Sequence, residues 1–402
     1  MYVKGIRKLF KFPKYMLEKI SLNSNIVQAF LRHDRRFRIV CPYCGKPLSK
    51  NRVVYQTARD LPLGTAIYVI LTYEAIQGYC TACGEYHTFH PSGINPHARV
   101  TDRLMAFVSQ LCRYMPLVHA AEIVGIPAAT VYRWDKRWLA SHLPEPDLDN
   151  LRILIIDEKS VRKRHGYVTL VMNGETGELL HMAEGKKKQS LQSFFDKLTK
   201  EQKAGITAVA IDRAGAYHTV VTEQLPQADI VYDKFHLIKN YNDLIDQVRR
   251  QEWRRANEED KKVIKGQRYN LFRNPENRTE KQTLRLKALL KLNENLNRVY
   301  VLKEAFHHLW TYTYRASAEK YLLKWISWAK ETEIEPLLKF AKSLLKSKDE
   351  VLNYFKHRIT TGRLEGFNNT VSRIVHRACG VQNLDYLFLK LRQESLEVVL
   401  QK

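Results

Sequence analysis

The stretch Ile153-Leu154-Ile155-Ile156-Asp157-Glu158 and its counterpart Ile206-Thr207-Ala208-Val209-Ala210-Ile211-Asp212 decide how this chain is read. Each is a short apolar run bounded by an acidic residue, the pattern of a strand buried on both faces. Between them, Tyr167 to Met172 and Glu178 to Met182 read as two strands joined by a turn at Asn173-Gly174 and Thr176-Gly177, and Ser190 to Leu198 as a helix. A helix at Tyr217–Gln224 and a strand at Ile230–Tyr232 follow. This order predicts an α/β core, RNase H-like in its strand–hairpin–strand–helix–strand–helix–strand sequence, over residues 150–239.

Beyond that core the strand signal vanishes. Residues 240–355 keep apolar faces at helical spacing, as in Val299, Leu302, Phe306, Leu309 and Trp310, and predict an α-helical insertion. Trp253, Trp310, Trp325 and Trp328 in this region read first as core. The last segment, 356–402, returns to the core with Thr360-Thr361-Gly362-Arg363-Leu364-Glu365-Gly366-Phe367-Asn368-Asn369 at the start of a helix. Its apolar face carries Leu364, Phe367 and Val371, while Glu365, Asn368, Asn369, Ser372 and His376 share a polar stripe.

Upstream, Cys41-Pro-Tyr-Cys44-Gly45 and Cys80-Thr-Ala-Cys83-Gly84 bracket strand-like sequence at Arg52–Tyr55 and Ala66–Thr72. Two thiolate knuckles of this kind predict a zinc ribbon over 41–90, with one Zn²⁺ held by Cys41, Cys44, Cys80 and Cys83. His87 or His90 is an alternative to one of the cysteines. Cys112 and Cys379 stand in apolar surroundings and read as packing residues. Residues 98–140 predict a helix capped by Thr101-Asp102, a second from Leu117 to Val124, a turn at Gly125-Ile126-Pro127, and a third helix displaying Thr130, Arg133, Lys136 and Arg137. That is a helix-turn-helix DNA-binding pattern. The plainer alternative is a helical hairpin whose Tyr132, Trp134 and Trp138 serve as core. Residues 1–40 read as a basic N-terminal extension, and the segment around Pro144 and Pro146 as a linker.

The chain has 402 residues, with 66 Lys and Arg against 42 Asp and Glu, a formal charge of +24. Apolar residues at 45% exclude a largely disordered chain. No apolar run is long enough to span a bilayer and no signal-peptide core follows the N-terminus, so the expected place is the cytoplasm. A cationic surplus of this size points to nucleic acid as the partner.

Asp157 and Asp212 follow adjacent buried strands, and Glu365 arrives on a helix. Three clustered carboxylates repel one another unless cations neutralise them. Hard divalent ions such as Mg²⁺ or Mn²⁺ favour oxygen ligands, and a pair of them supports phosphodiester chemistry. Asp157, Asp212 and Glu365 are therefore the candidate ligands of two such ions. Asp233, in Tyr232-Asp233-Lys234-Phe235-His236, is a rival, as is Glu158. His236, Asn368 and Asn369 are auxiliary candidates, with His236 a proton shuttle, a phosphate contact or a structural residue.

In these segments the chain resembles the ISL-three family of bacterial insertion-sequence transposases. The resemblance rests on Ile156-Asp157-Glu158-Lys-Ser, Ala210-Ile-Asp212-Arg with Tyr217, the run from Leu225 to His236, Thr361-Gly-Arg-Leu-Glu365-Gly-Phe-Asn368-Asn, and Arg377-Ala-Cys-Gly380. It implies a DDE transposase whose triad falls on Asp157, Asp212 and Glu365, with a helical insertion before the glutamate. Thr361 and Ser372-Arg373 depart from residues common in the family, and neither is a ligand position. The expected partners are double-stranded DNA, as terminal inverted repeats and target, and a second copy of the chain, with no membrane. The alternatives are a decayed core behind a working DNA-binding regulator, and an RNase H-like nuclease without strand transfer.

Overall fold

A computed structural model describes residues 8–63, 67–162, 166–213, 215–359, 362–378 and 383–400. The chain divides into two compact units, Met1–Pro144 with Ile374–Gln393, and Glu145–Arg373 with Glu394–Lys402.

The first unit is built on a seven-stranded sheet: β1 (Tyr15–Asn23), β2 (Ile26–His33), β3 (Ser49–Leu63), β4 (Ile67–Cys80), β5 (Glu85–Phe89), β6 (Ile94–Asn95) and β7 (Val100–Thr101). The order is β1-β2-β4-β3-β7-β6, with β5 also on β4. Long β3 and β4 form an antiparallel ribbon, and β2 joins β4 in parallel. The segment before Cys41 is thus more than the basic extension that its composition suggests. Val27, Ala29 and Leu31 alternate inward along β2, and Phe10, Phe12, Tyr15 and Leu17 fill the same core. A period-two apolar face is buried most easily by pairing into the neighbouring sheet.

Three helices follow: α1 (Asp102–Tyr114), α2 (Leu117–Val124) and α3 (Ala128–His142). Thr101 caps α1 by accepting from the Leu104 N–H. Gly125 ends α2 in the left-handed conformation, at φ 61°. A Cβ there would meet the Tyr68 ring at 2.3 Å, so glycine is required by both backbone and space. Arg59 of β3 donates to the Gly125 carbonyl at 2.9 Å, which ties the turn to the sheet. Val108, Ala120, Val131 and Trp134 form the core of the three helices.

Part of the unit comes from the far end of the chain, so the sequence reading of 356–402 as one segment of the catalytic core needs correction. Asp135 is wholly buried. Its carboxylate accepts from Ser109 Oγ at 2.6 Å, from the Tyr386 hydroxyl and from Lys390 Nζ at 3.2 Å. A buried carboxylate needs such partners, and α3 finds two of them on the C-terminal helix.

The second unit has a five-stranded sheet of order β10-β9-β8-β11-β12, from β8 (Ile153–Arg162), β9 (Gly166–Asn173), β10 (Leu179–Glu184), β11 (Ala208–Ile211) and β12 (Asp229–Tyr232). β8, β9 and β10 are antiparallel, whereas β8, β11 and β12 run parallel. Helices α4 (Lys188–Phe195) and α5 (Lys200–Gly205) precede β11, and α6 (Gly215–Gln224) precedes β12. β8 continues past Asp157, because Glu158, Lys159 and Ser160 still pair with β9.

A helical stretch begins directly after β12. It comprises α7 (Lys234–Arg255), α8 (Glu258–Ile264), α9 (Arg268–Phe272), α10 (Glu280–Leu292), α11 (Glu294–Leu309), α12 (Arg315–Glu331), α13 (Glu335–Lys346) and α14 (Lys348–His357). Tyr241, Phe306, Trp325 and Phe340 form its aromatic centre. Trp310 and Trp325 are core, whereas Trp253 is exposed. α14 returns to the sheet, where Asn353 donates to the Ile230 carbonyl at 3.0 Å. The last helices are α15 (Gly362–Arg377) and α16 (Leu384–Leu400). Among the described residues no helix is long and apolar enough to cross a membrane.

Candidate active site and metal centre

At the C-terminal side of the parallel strands, Asp157 of β8, Asp212 just after β11 and Asp233 just after β12 line one cavity of about 550 Å³. The start of α7 and Asn368 of α15 complete it. Ligand sites in open α/β sheets form at this edge. Two of the expected acidic residues are therefore brought to a common cavity. Glu365 lies on α15, one turn before Asn368, and its side chain is outside the described residues.

Asp157 is buried. Its Oδ1 accepts from the Glu158 N–H at 2.8 Å and its Oδ2 from Asn368 Nδ2 at 2.7 Å. Burial pushes its carboxyl above the usual range, Asn368 opposes that, and the nearby Asp212 charge adds to the rise. Since an ionised carboxylate only accepts, the Asn368 atom facing it is the nitrogen, which fixes Oδ1 as the other end. That Oδ1 is buried and has no hydrogen-bond partner among the described residues. Asn242 Oδ1, on α7, is in the same condition, and Asn242 lines the same cavity.

Asp233 has a structural task. It caps α7, accepting from the Phe235 N–H at 3.0 Å. It also stands 2.8 Å from His236 Nδ1, while His236 Nε2 is 3.9 Å from Asp212 Oδ2. The Asp233 carboxylate, aided by Asp212, raises the imidazole above its ordinary value against the effect of burial. Glu158 is absent from the lining, as expected for the opposite face of a continuing strand. Asn369 is exposed and also absent from it. Lys239, Asn242, Asp243 and Arg268 line the cavity although nothing in the sequence reading singles them out. For the first three the signal is the spacing His236, Lys239, Asn242 and Asp243 along one helix face. Among the described residues, no three carboxylate or imidazole groups close to within 4.8 Å of one another at this site.

The cysteines do close. The ligand atoms of Cys41, Cys44, Cys80 and Cys83 all lie within 4.8 Å of one another. The knuckles are turned by Gly45 and Gly84, at φ 71° and 74°, with the Gly84 N–H donating to the Cys80 carbonyl at 2.8 Å. Burial opposes ionisation of Cys80, but backbone N–H groups and neighbouring thiols hold it down at about 7. The Cys44 and Cys80 thiols push Cys83 up to about 12. Four cysteine sulfurs in this space could hold a metal ion, and the set fits the four-sulfur centre of a zinc ribbon. His87 and His90 are not in the cluster.

On α3, Arg133 and Arg137 are exposed and Thr130 is half-buried, with Arg133 donating to Thr130 Oγ1 at 3.2 Å. Lys136 donates to Asn383 Oδ1 at 3.3 Å. Trp134 is core, so the helix serves packing on one side and offers cations on the other.

A family model described as "Transposase" matches residues 154–391, and the helix-turn-helix domain of transposase family ISL3 matches residues 90–139. The chain belongs to the ISL3 transposase family. Similar proteins include the transposase for insertion sequence element IS1001 of Bordetella parapertussis, 32% identical over 361 residues, covering 88% of each chain. The transposase for IS1557 of Mycobacterium tuberculosis is 30% identical over 374 residues, covering 85% of this chain and 82% of its own. As an ISL3 transposase the chain is an enzyme acting on DNA, and its helix-turn-helix implies DNA binding.

Proposed function

We propose that this transposase binds the ends of an insertion sequence and cuts and transfers DNA strands in the cavity between Asp157, Asp212 and α15. The observation that carries the reading is the lining itself: a buried carboxylate raised by its surroundings, a second carboxylate, and two buried amide oxygens without partners among the described residues. Unpartnered buried acceptors are costly unless a donor or cation from outside the protein satisfies them. This donor set of oxygens fits hard divalent ions. Asp157, Asp212 and Glu365 would hold two Mg²⁺ or Mn²⁺, which supply Lewis acidity toward phosphate oxygens and acidify water. The sheet order and the carboxylates on neighbouring strands support an RNase H-like core interrupted by the helical insertion.

The protein's own groups divide the work. Asn368 orients the Asp157 carboxylate, and Asp233 holds the His236 imidazole beside Asp212. Lys239 and Arg268 bring positive charge to the phosphate, and Ile156, Ile211 and Phe272 limit water. In this reading the attacking oxygen comes from water and then from a DNA 3′-hydroxyl, activated at the bound ions. No covalent protein intermediate is needed. Thr130, Arg133 and Arg137, with Lys136 at the edge, would meet the terminal inverted repeats. One structural Zn²⁺ on the four cysteines would fix the ribbon. Pairing two ends calls for at least a dimer, working in the cytoplasm at the nucleoid.

The test uses the full chain with end DNA and Mg²⁺ or Mn²⁺. Asp157→Asn, Asp212→Asn and Glu365→Gln should each reduce cleavage and strand transfer below detection while end binding persists. Asp233→Asn should be milder, because asparagine caps a helix as well as aspartate. Cleavage surviving in Asp157→Asn would refute the site, and cleavage without joined products would make the protein a nuclease.

A further inference from the structure

Helix α7 carries a second stripe, away from the cavity described above. Asn240, Gln247, Arg250, Gln251 and Arg254 recur at steps of three, four and seven residues, which places them on one face. The opposite face, with Leu237, Tyr241, Ile245 and Val248, is buried. The stripe walls a groove of about 730 Å³, closed on its other side by Lys339 and Ser343 of α13, with Arg213 also in its lining. Asp243 lines both this groove and the candidate active-site cavity, and Arg213 directly follows Asp212. The groove and the site therefore share a wall at Asp243.

Its charge is one-sided. Arg213, Arg250, Arg254 and Lys339 face a single lining carboxylate, Asp243, among the described residues. The cations are held in place and not neutralised as a group. Arg213 donates to the Ser343 carbonyl at 3.0 Å. Arg250 Nε lies 3.1 Å from Asp246, but that carboxylate is shared with Arg249 at 2.8 Å and Arg268 at 3.7 Å. Lys339 pairs with Glu335 at 2.5 Å, with both side chains largely in solvent, where such pairs are weak. The carboxamides of Asn240, Gln247 and Gln251 add hydrogen-bond donors without charge.

We infer that this groove is the track along which the backbone of a DNA strand reaches the catalytic cavity. The inference rests on the proposed transposase reaction and names a surface for it. Guanidinium, ammonium and amide donors suit phosphate oxygens, and an array of this kind positions DNA without reading its sequence. From Asn240 to Arg254 the helix rises about 21 Å, which corresponds to about six nucleotides of one duplex strand.

The experiment measures affinity of the full chain for cognate-end and scrambled duplexes over a salt series without divalent metal. Arg250→Ala with Arg254→Ala should weaken binding to both duplexes alike and lower the salt slope by about two, one for each phosphate that is no longer neutralised. Arg254→Gln, which spares the Asp246 pairing, should lower it by about one. A photo-crosslinking residue placed at 240, 247 or 251 should label nucleotides at increasing distance from the cut, over a span of about five. Unchanged slopes, or labels without that order, overturn the groove while Asp157→Asn still abolishes cleavage. A wild-type chain that binds no DNA, or an Asp157→Asn chain that still cleaves, overturns the reaction on which it rests.

Discussion

Replacing Lys390 by methionine tests how the first unit is held together. The change keeps the length and the apolar stem of the side chain but removes the cation from Asp135, which has no exposed surface. Ser109 and Tyr386 still donate to the carboxylate, so it is not stripped of partners. Breaking a buried ion pair costs about 3–5 kcal/mol, and the two surviving hydrogen bonds argue for the lower end, about 3 kcal/mol. For a unit of this size each kcal/mol corresponds to about 2–4 °C, so its transition should fall by roughly 6–12 °C. Differential scanning calorimetry of the full chain reads this directly. Adding Asp135→Asn, which keeps the acceptor and removes the charge, should restore about 2 kcal/mol. A drop below about 0.5 kcal/mol, or a double variant no better than the single one, would refute the account.

Two further outcomes bear on other parts of the molecule. Metal analysis of the full chain should find about one zinc, absent from Cys80→Ser. Removing the ion should fray the ribbon end of β3 and β4 and leave the rest of the sheet folded, because Leu31, Val69, Leu71 and Tyr73 carry their own core. Complete unfolding of the unit on chelation would contradict this. His181 is pushed down to about 4 by burial, with the Lys197 charge adding to the effect. Its folded value lies below its unfolded one near 6.5, so its contribution to stability is complete above pH 6.5 and is lost as the pH falls toward 4. Allowing for solvent near the ring, the second unit should lose roughly 1 kcal/mol by about pH 5, and His181→Gln should flatten that slope. An unchanged pH profile in the variant would count against the assignment.

What can be read from the sequence depends on whether the signal is local. The runs ending at Asp157 and Asp212 are apolar without interruption, and they form the central parallel strands. The helix-turn-helix carries its own punctuation in Thr101, Gly125 and Pro127, and α2 spans Leu117–Val124, as its sequence predicts. β2 escapes a reading by composition although Val27, Ala29 and Leu31 alternate, because the basic residues around it dominate. The partners of Asp135 are invisible in the sequence, since Lys390 lies 255 residues away and no local pattern links them. Asn242 is likewise an ordinary polar residue on a charged helix. Its unsatisfied oxygen acquires meaning only when the strands bring Asp157 and Asp212 to the same cavity.

The discontinuity of the first unit also sets an order on its manufacture. At about 5–20 residues per second, a ribosome needs roughly 13–50 s after making Asp135 before Lys390 exists. During that interval the three helices of the helix-turn-helix carry a carboxylate whose final setting is buried but whose cation has not been synthesised. Asp135, made early, therefore gains its cation only late in synthesis. A copy of the gene shortened by a frameshift or an early stop yields an N-terminal half in which Ser109 still donates to that carboxylate but its cation is missing. Such a fragment would lack the ion pair that joins α3 to the C-terminal helix in the full chain.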